Sequence, residues 1–272
     1  MVFSNPSQSR ESILITEWGK HSLSFSVFHE KDNRVLATQV IDLRTPLNDM
    51  ASSDFERLFK EEAVLAYSFE KLICLLDTSL MTLVPNSFFQ MESSKDALQL
   101  VHDIPSGQFE FCHERLLSID YQIVYALPKN LKDALNKHFM NVSYDLTAAS
   151  LLNYFSKLNQ LDALFAVHFN ADEILIYRFE NKKLIFFNSF DFITAEDVLY
   201  HLLHVMNDQK LHPDRSLVYY SGLLPDDSSI MSELKEYIKN LKPLSRTNKV
   251  NYAADVASMP EHYFVHHYSK FL

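Results

Sequence analysis

The sequence predicts an α/β protein built from two tandem copies of one domain. Three observations lead there. A pattern of three strands occurs twice, about 150 residues apart. Each occurrence closes on an acid between apolar residues, Ile41-Asp42-Leu43 and Phe190-Asp191-Phe192. In both, the period then changes from two to that of a helix, followed by a continuous apolar run. A repeat of this length means a duplicated domain, because solenoid units are far shorter.

The first meander runs Ile13–Trp18, Ser22–Phe28 and Arg34–Ile41. Leu23, Phe25 and Val27 alternate with Ser22, Ser24 and Ser26, which is the period of a strand. The second runs Ala163–His168, Glu173–Phe179 and Lys183–Phe190. Their turns, Gly19-Lys20, Lys31-Asp32-Asn33, Asn170-Ala171-Asp172 and Asn181-Lys182, have hairpin composition. Ser53-Asp-Phe-Glu56 predicts a capping box opening the first helix, and Thr194-Ala-Glu-Asp197 opens the second. The second carries an apolar stripe of Val198, Leu199, Leu202, Val205 and Met206, with Pro213 as its stop. Strands Lys71–Leu76 and Ser216–Tyr220 follow as runs suited to burial on both faces. A last helix is expected with Ile230, Leu234, Tyr237, Ile238 and Leu241 on one face.

Between the copies lies extra material. Met81–Val84 reads as a strand, with Pro85 in the first turn of a helix reaching to about Val101. Phe109–Phe111 and Tyr121–Tyr125 read as a strand pair, followed by helices at Lys129–His138 and Thr147–Leu158. The division is therefore a first lobe over 11–158, with an insertion at about 86–145, and a second over 159–272. From Lys249 the tail has no period and is expected to pack as irregular chain.

Composition narrows the function. A net charge of −10, with no long basic run, argues against nucleic acid, whose phosphates are bound by clustered Lys and Arg. Apolar runs fall short of the ~20 residues a membrane helix needs, so no membrane partner is expected. The polar stretch Met1 to Arg10 lacks the apolar core of a signal peptide. Cys74 and Cys112 are the two cysteines, each in apolar, strand-like context, and read as reduced thiols of a cytoplasmic protein.

A three-stranded meander, a helix, a parallel strand and another helix is the ribonuclease-H-like order. Two in tandem resemble the actin-like ATPase superfamily. More closely, Thr82-Leu-Val-Pro85 with Phe88-Phe89, the second meander, and Ser221-Gly222 after a strand resemble an uncharacterised bacterial family, a domain of unknown function with that fold. The resemblance implies two ribonuclease-H-like lobes, each a mixed sheet flanked by helices, and a nucleotide site in the cleft between them. The superfamily's first phosphate loop carries an acid, any residue, then Gly. Glu17-Trp18-Gly19-Lys20 stands there, with Glu for Asp and a bulky Trp before the Gly. The second loop reads His168-Phe169-Asn170-Ala171, with neither acid nor Gly. Of the paired glycines of the adenosine motif, Ser221-Gly222-Leu223 keeps one. The chain holds three glycines, Gly19, Gly107 and Gly222, too few and too scattered for a Gly-rich phosphate cradle.

Glu17, Gly19, Lys20, Ser221 and Gly222 are thus the residues of a vestigial nucleotide site, with no catalytic residue, metal or cofactor assigned. Glu17 and Asp77 also stand near where nuclease relatives hold magnesium, with His168 and Ser221 as the second copy's counterparts, but a third carboxylate is lacking. His262-x-x-x-His266-His267 beside Glu261 has a zinc-like spacing. Tyr263, Phe264 and Tyr268 between them favour an aromatic tail docked on a core, the histidines hydrogen-bonded or at the solvent. His201 and His204 are expected on a helix edge. The reading is a non-catalytic interaction scaffold with a protein partner. The alternative is a divergent ATPase or small-molecule kinase binding nucleotide weakly in the interlobe cleft.

Overall fold

The computed structural model describes residues 9–105, 107–117, 119–158 and 163–271. Most of the polar N-terminal stretch (1–8), and residues 159–162, where the sequence reading divides the copies, lie outside the described residues. The chain divides into two compact units, Met1–Ala149 with Asn248–Ser258, and Ser150–Thr247 with Met259–Leu272.

The first unit opens with β1 (Ser12–Trp18), β2 (Ser22–His29) and β3 (Arg34–Asp42), then α1 (Ser52–Glu61) and β4 (Lys71–Leu76). There follow β5 (Met81–Pro85), α2 (Ser94–Gln99), β6 (Phe109–Arg115) and β7 (Tyr121–Pro128), then α3 (Lys129–His138) and β8 (Val142–Leu146). The division between units falls within α4 (Thr147–Lys157). The second unit contains β9 (Ala163–Phe169), β10 (Glu173–Glu180), β11 (Lys183–Asp191), α5 (Ala195–Asp208), β12 (Val218–Gly222), α6 (Ser229–Tyr237) and β13 (Leu241–Pro243).

Both units carry the same sheet. In the first the order is β3-β2-β1-β4-β8, in the second β11-β10-β9-β12-β13. The meander pairs are antiparallel, and the strands added after each helix are parallel to the first strand of their copy. This is the ribonuclease-H-like arrangement, twice. Irregularities coincide too. The third strand bulges at its third residue in each copy, Leu36 against Val27/Phe28 and Ile185 against Arg178/Phe179. The first turn closes in each copy by one bond, Gly19 N–H to Ser22 O and Asn170 N–H to Glu173 O, both 2.9 Å. The exits match as well, with Leu43 N–H on His21 O at 2.8 Å and Phe192 N–H on Asp172 O at 3.0 Å.

The central strands of the main sheets are covered on both faces. Every residue of β1 is buried, and so are Ser24 and Ser26 on the polar side of β2. Burying these hydroxyls would be costly without partners. Ser24 donates to Glu17, and Ser26 shares a hydrogen bond with Thr38 across the ladder. In the second unit the predicted stripe of α5 is buried, packed with Val167, Phe169, Ile174 and Ile176 of the sheet and Met231, Leu234 and Ile238. Each such side chain contributes roughly 1.5–3 kcal/mol. The face of α6 is set by Met231 and Leu234, while Tyr237 is exposed.

Several expectations are corrected. The first helix begins two residues early, after Ala51, whose N–H is held by Asp54 Oδ2 at 3.0 Å. Glu56 is drawn instead to Lys137 Nζ at 2.9 Å. Pro85 ends β5, and Phe88 and Phe89 N–H return to its carbonyl in a turn, so the helix expected from there shrinks to α2. The inserted β5-β7-β6 sheet is a separate three-stranded layer. α5 ends at Asp208, before Pro213, where Lys210 turns left-handed (φ 56°) and Leu211 N–H reaches back to Met206 O. The strand expected at Ser216–Tyr220 lies two residues later, as β12.

The tail is ordered. β14 (Asn251–Tyr252) pairs parallel with Arg34 and Val35 of β3, and α7 (Ala254–Ala257) follows in the first unit with Val256 buried. From Met259 the chain belongs to the second unit, where α8 (Val265–Tyr268) forms.

Candidate functional site

The first-unit residues of the candidate site lie on the turn between β1 and β2. Alternation along β1 points Glu17 into the protein, where it is 8% exposed. Its carboxylate accepts from Thr147 Oγ1 at 2.8 Å and Ser24 Oγ at 3.2 Å. Ser24 is its cross-strand partner, and Thr147 opens α4 next to β8. Trp18, the residue that separates the acid from the glycine, is fully buried, its indole N–H on Thr16 and its ring 5.9 Å from Phe55. Gly19 spends its N–H inside the turn. A Cβ there would meet Asp77 Oδ2 and Ser22 Oγ at 3.2 Å, so the turn is tight but its φ is ordinary. Asp77 is held beside the turn by its own N–H on Trp18 O. Lys20 is exposed, and its carbonyl accepts from Leu47 N–H.

In the second unit His168 occupies the place of Glu17, as the matched turns require. His168 Nδ1 lies 2.8 Å from Ser221 Oγ, its neighbour across the parallel β9–β12 pair, and both residues are 1% exposed. The registers set Gly222 beside Phe169 as Leu76 is set beside Trp18. The counterpart of Asp77 is therefore Leu223, a correction to the expected Ser221. Gly222 has φ +98°, and a Cβ on it would lie 2.1 Å from Phe169 O and 2.8 Å from Phe169 N. Only glycine fits so close an approach of two backbones.

The C-terminal tail then completes this end of the sheet. Gly222 N–H donates to His262 O at 3.0 Å, and His262 Nε2 lies 2.9 Å from Leu224 O. The His266 ring sits edge-on to His168, with centroids 4.9 Å apart. Phe264, Val265 and Tyr268 are buried, and so are His262, His266 and His267. The expected aromatic docking is present for Phe264 and Tyr268, whereas Tyr263 is half-buried, and these histidines do not meet solvent. His262 and His266 are also not on one helix, because α8 begins at Val265 after Phe264 turns left-handed at φ 58°. Burial holds the His262 imidazole below its ordinary value. The Arg246 guanidinium is part-buried and donates to Met259 O, tying down the start of this segment. His201 stacks on Phe190, and His204 lies 3.5 Å from Asp208, as an edge pair would.

Sequence reasoning missed two features. Thr147 as a partner of Glu17 is 130 residues away and carries no local signal. Glu173 is 5% exposed at the second copy's turn, and burial pushes its carboxyl up to about 7, with Asp191 and Asp172 adding to the effect against a Ser189 hydrogen bond. Its place at a strand start after Asp172 reads as a solvated turn. Burial also pushes the Cys74 thiol up, and the Cys112 thiol to about 11. Both are free, and neither favours the reactive thiolate.

Among the described residues no helix is long and apolar enough to cross a membrane. The chain is similar to a Bacteroides thetaiotaomicron protein with actin-like ATPase fold and unknown function, at 21% identity over 92% of this chain and 95% of that one, TM-score 0.75. It is also similar to a chain of the PilM-PilN type IV pilus biogenesis complex, at 12% identity over 90% and 92%, TM-score 0.58. These likenesses show the actin-like ATPase fold. No curated protein matches the sequence significantly. Residues 4–241 match the family described as protein of unknown function (DUF3822), and the chain belongs to that family.

Proposed function

We propose that this protein is a non-catalytic member of the actin-like fold that works by binding another protein. One observation carries the reading. The single glycine left from the adenosine motif is committed to the protein's own architecture: Gly222 packs on the Phe169 backbone and gives its N–H to His262 O. The first turn supports the same reading. Phosphate loops work through free backbone donors near a metal-linked acid. Here Gly19 N–H is used within the turn, and Glu17 is buried under two hydroxyls. The second turn puts His168 and Asn170 where an acid and a glycine belong, and His168 is engaged with Ser221. The two free thiols, Cys74 buried and Cys112 half-buried, suit a cytoplasmic setting, which we include in the proposal.

A thermal-shift measurement with magnesium ATP and ADP tests it. A ligand at 100 times its dissociation constant stabilises by about 2.7 kcal/mol, and no such shift is expected. A magnesium-dependent shift, with turnover lost in Glu17→Gln, would establish the ATPase or kinase alternative instead. Affinity purification of the native protein is the direct search for the partner.

A further inference from the structure

The two copies differ at one sheet edge. In the first unit the start of β3 is covered by β14, through Asn251 N–H on Asn33 O and Ala253 N–H on Val35 O, and α7 follows beside it. The equivalent strand of the second unit, β11, ends its sheet with no strand beside it among the described residues. The opposite edge, β13, is three residues long and ends in Pro243, both features that protect an edge. β11 has nine residues, no proline, and the sequence Lys-Leu-Ile-Phe-Phe-Asn-Ser-Phe-Asp. Its bulge at Ile185 is close to one end and leaves Phe186–Asp191 in regular register with β10. Ile185, Ile193 and Tyr200 are exposed apolar side chains on the strand, just beyond it, and on α5, which stacks on it through His201 and Phe190.

The charges on this edge are self-complementary. One end carries Lys182 and Lys183, both exposed, and the other carries exposed Asp191 with Asp172 beside it. Glu180, opposite Lys183 in the ladder, is already held by Arg178 at 2.6 Å. With the bulged Ile185 left out of the count, two copies of β11 laid antiparallel about an axis at Phe187 set Lys182 of each against Asp191 of the other. The same register sets Lys183 against Phe190, Leu184 against Ser189 and Phe187 against its own copy. A parallel arrangement would instead stack like charges.

We propose that β11 is the docking edge for a second copy of this chain, joining two second-unit sheets into one continuous antiparallel sheet across a twofold axis. Such an interface is isologous, so each contact occurs twice. Main-chain hydrogen bonds along the edge give affinity, and the charged ends fix direction and register.

Analytical ultracentrifugation of the full chain tests this with Lys182→Glu and Asp191→Lys, both at exposed positions whose folding is checked by circular dichroism. The wild-type chain is expected to be a dimer. Each single reversal opposes like charges twice per dimer and should weaken association about tenfold or more. Mixing the two variants restores opposite charges at both ends and should restore a mixed dimer. A wild-type chain that stays monomeric into the hundred-micromolar range (about 100 µM, a Kd of weak encounters) overturns the proposal. So does a dimer indifferent to the single reversals, or a mixture no more associated than its components.

Discussion

Replacing Gly222 by alanine asks whether that glycine serves a ligand or the fold. The added Cβ would stand 2.1 Å from Phe169 O, 2.8 Å from Phe169 N and 2.9 Å from Phe169 C, all backbone atoms of the adjoining strand. They cannot swing aside as a flexible side chain could, so β9 and β12 must separate where His168 meets Ser221. The substitution also forces an L-residue to φ +98°. Left-handed backbone costs roughly 1–2 kcal/mol and overpacking about 1–3 kcal/mol, so the loss should reach about 2–5 kcal/mol. That is a large part of the ~5–15 kcal/mol that usually holds a domain. At roughly 2–4 °C per kcal/mol for chains approaching this size, melting should fall by about 4–20 °C. Gly107→Ala is the control, since Gly107 has φ +88° but nothing within 4 Å of an added Cβ. Its cost should be confined to the conformational part. Thermal and urea denaturation followed by circular dichroism compares them, and equal stabilities would refute the packing argument.

Two further perturbations read the second unit. Ending the chain after Pro260 removes the buried His262, Phe264, Val265 and Tyr268 and uncovers Gly222 N–H. At roughly 1.5–3 kcal/mol for each large apolar side chain, the unit should lose its cooperative melt, and a truncated chain melting like the intact one would contradict this. Glu173 has its folded-state carboxyl raised from 4.5 to about 7, chiefly by burial, so the folded unit binds its proton more tightly than the unfolded chain. Its contribution to stability is therefore full below pH 4.5 and lost as pH rises through about 7, by about 3 kcal/mol at most. Glu173→Gln should flatten this slope and stabilise the protein at pH 8 in urea titrations, and a variant with unchanged pH dependence would exclude the assignment.

The fold was legible because its signals are local and occur twice. Period-two alternation across Leu23, Phe25 and Val27, or the stripe of α5 with its Thr194–Asp197 capping box, needs only a few neighbouring residues. The failures share a cause. Pro85 can open a helix or end an edge strand, and the choice was made by Tyr121, its ladder partner, 36 residues on. β8, β13 and β14 are short strands whose existence depends on the strand they pair with. The tail looked irregular because it serves two units in turn, each with its own packing.

The site posed a different problem, because a residue that is kept need not be kept for the role its motif suggests. Sequence marks Glu17, Gly19 and Gly222 as remnants of a nucleotide site in a chain with three glycines. It had no means to reveal that Glu17 is sealed by Thr147, or that Gly222 holds two strands and a tail together. The duplication supplies the missing comparison. His168 and Asn170 fill the turn positions of Glu17 and Gly19, and Gly222 fills that of Leu76, yet both turns close with the same hydrogen bond. The turn therefore does not need its glycine or its acid in order to fold. What the two copies share is the ladder. The side chains projecting from it are free to diverge, and in the second unit they have become a histidine, a serine and a tail packed over them.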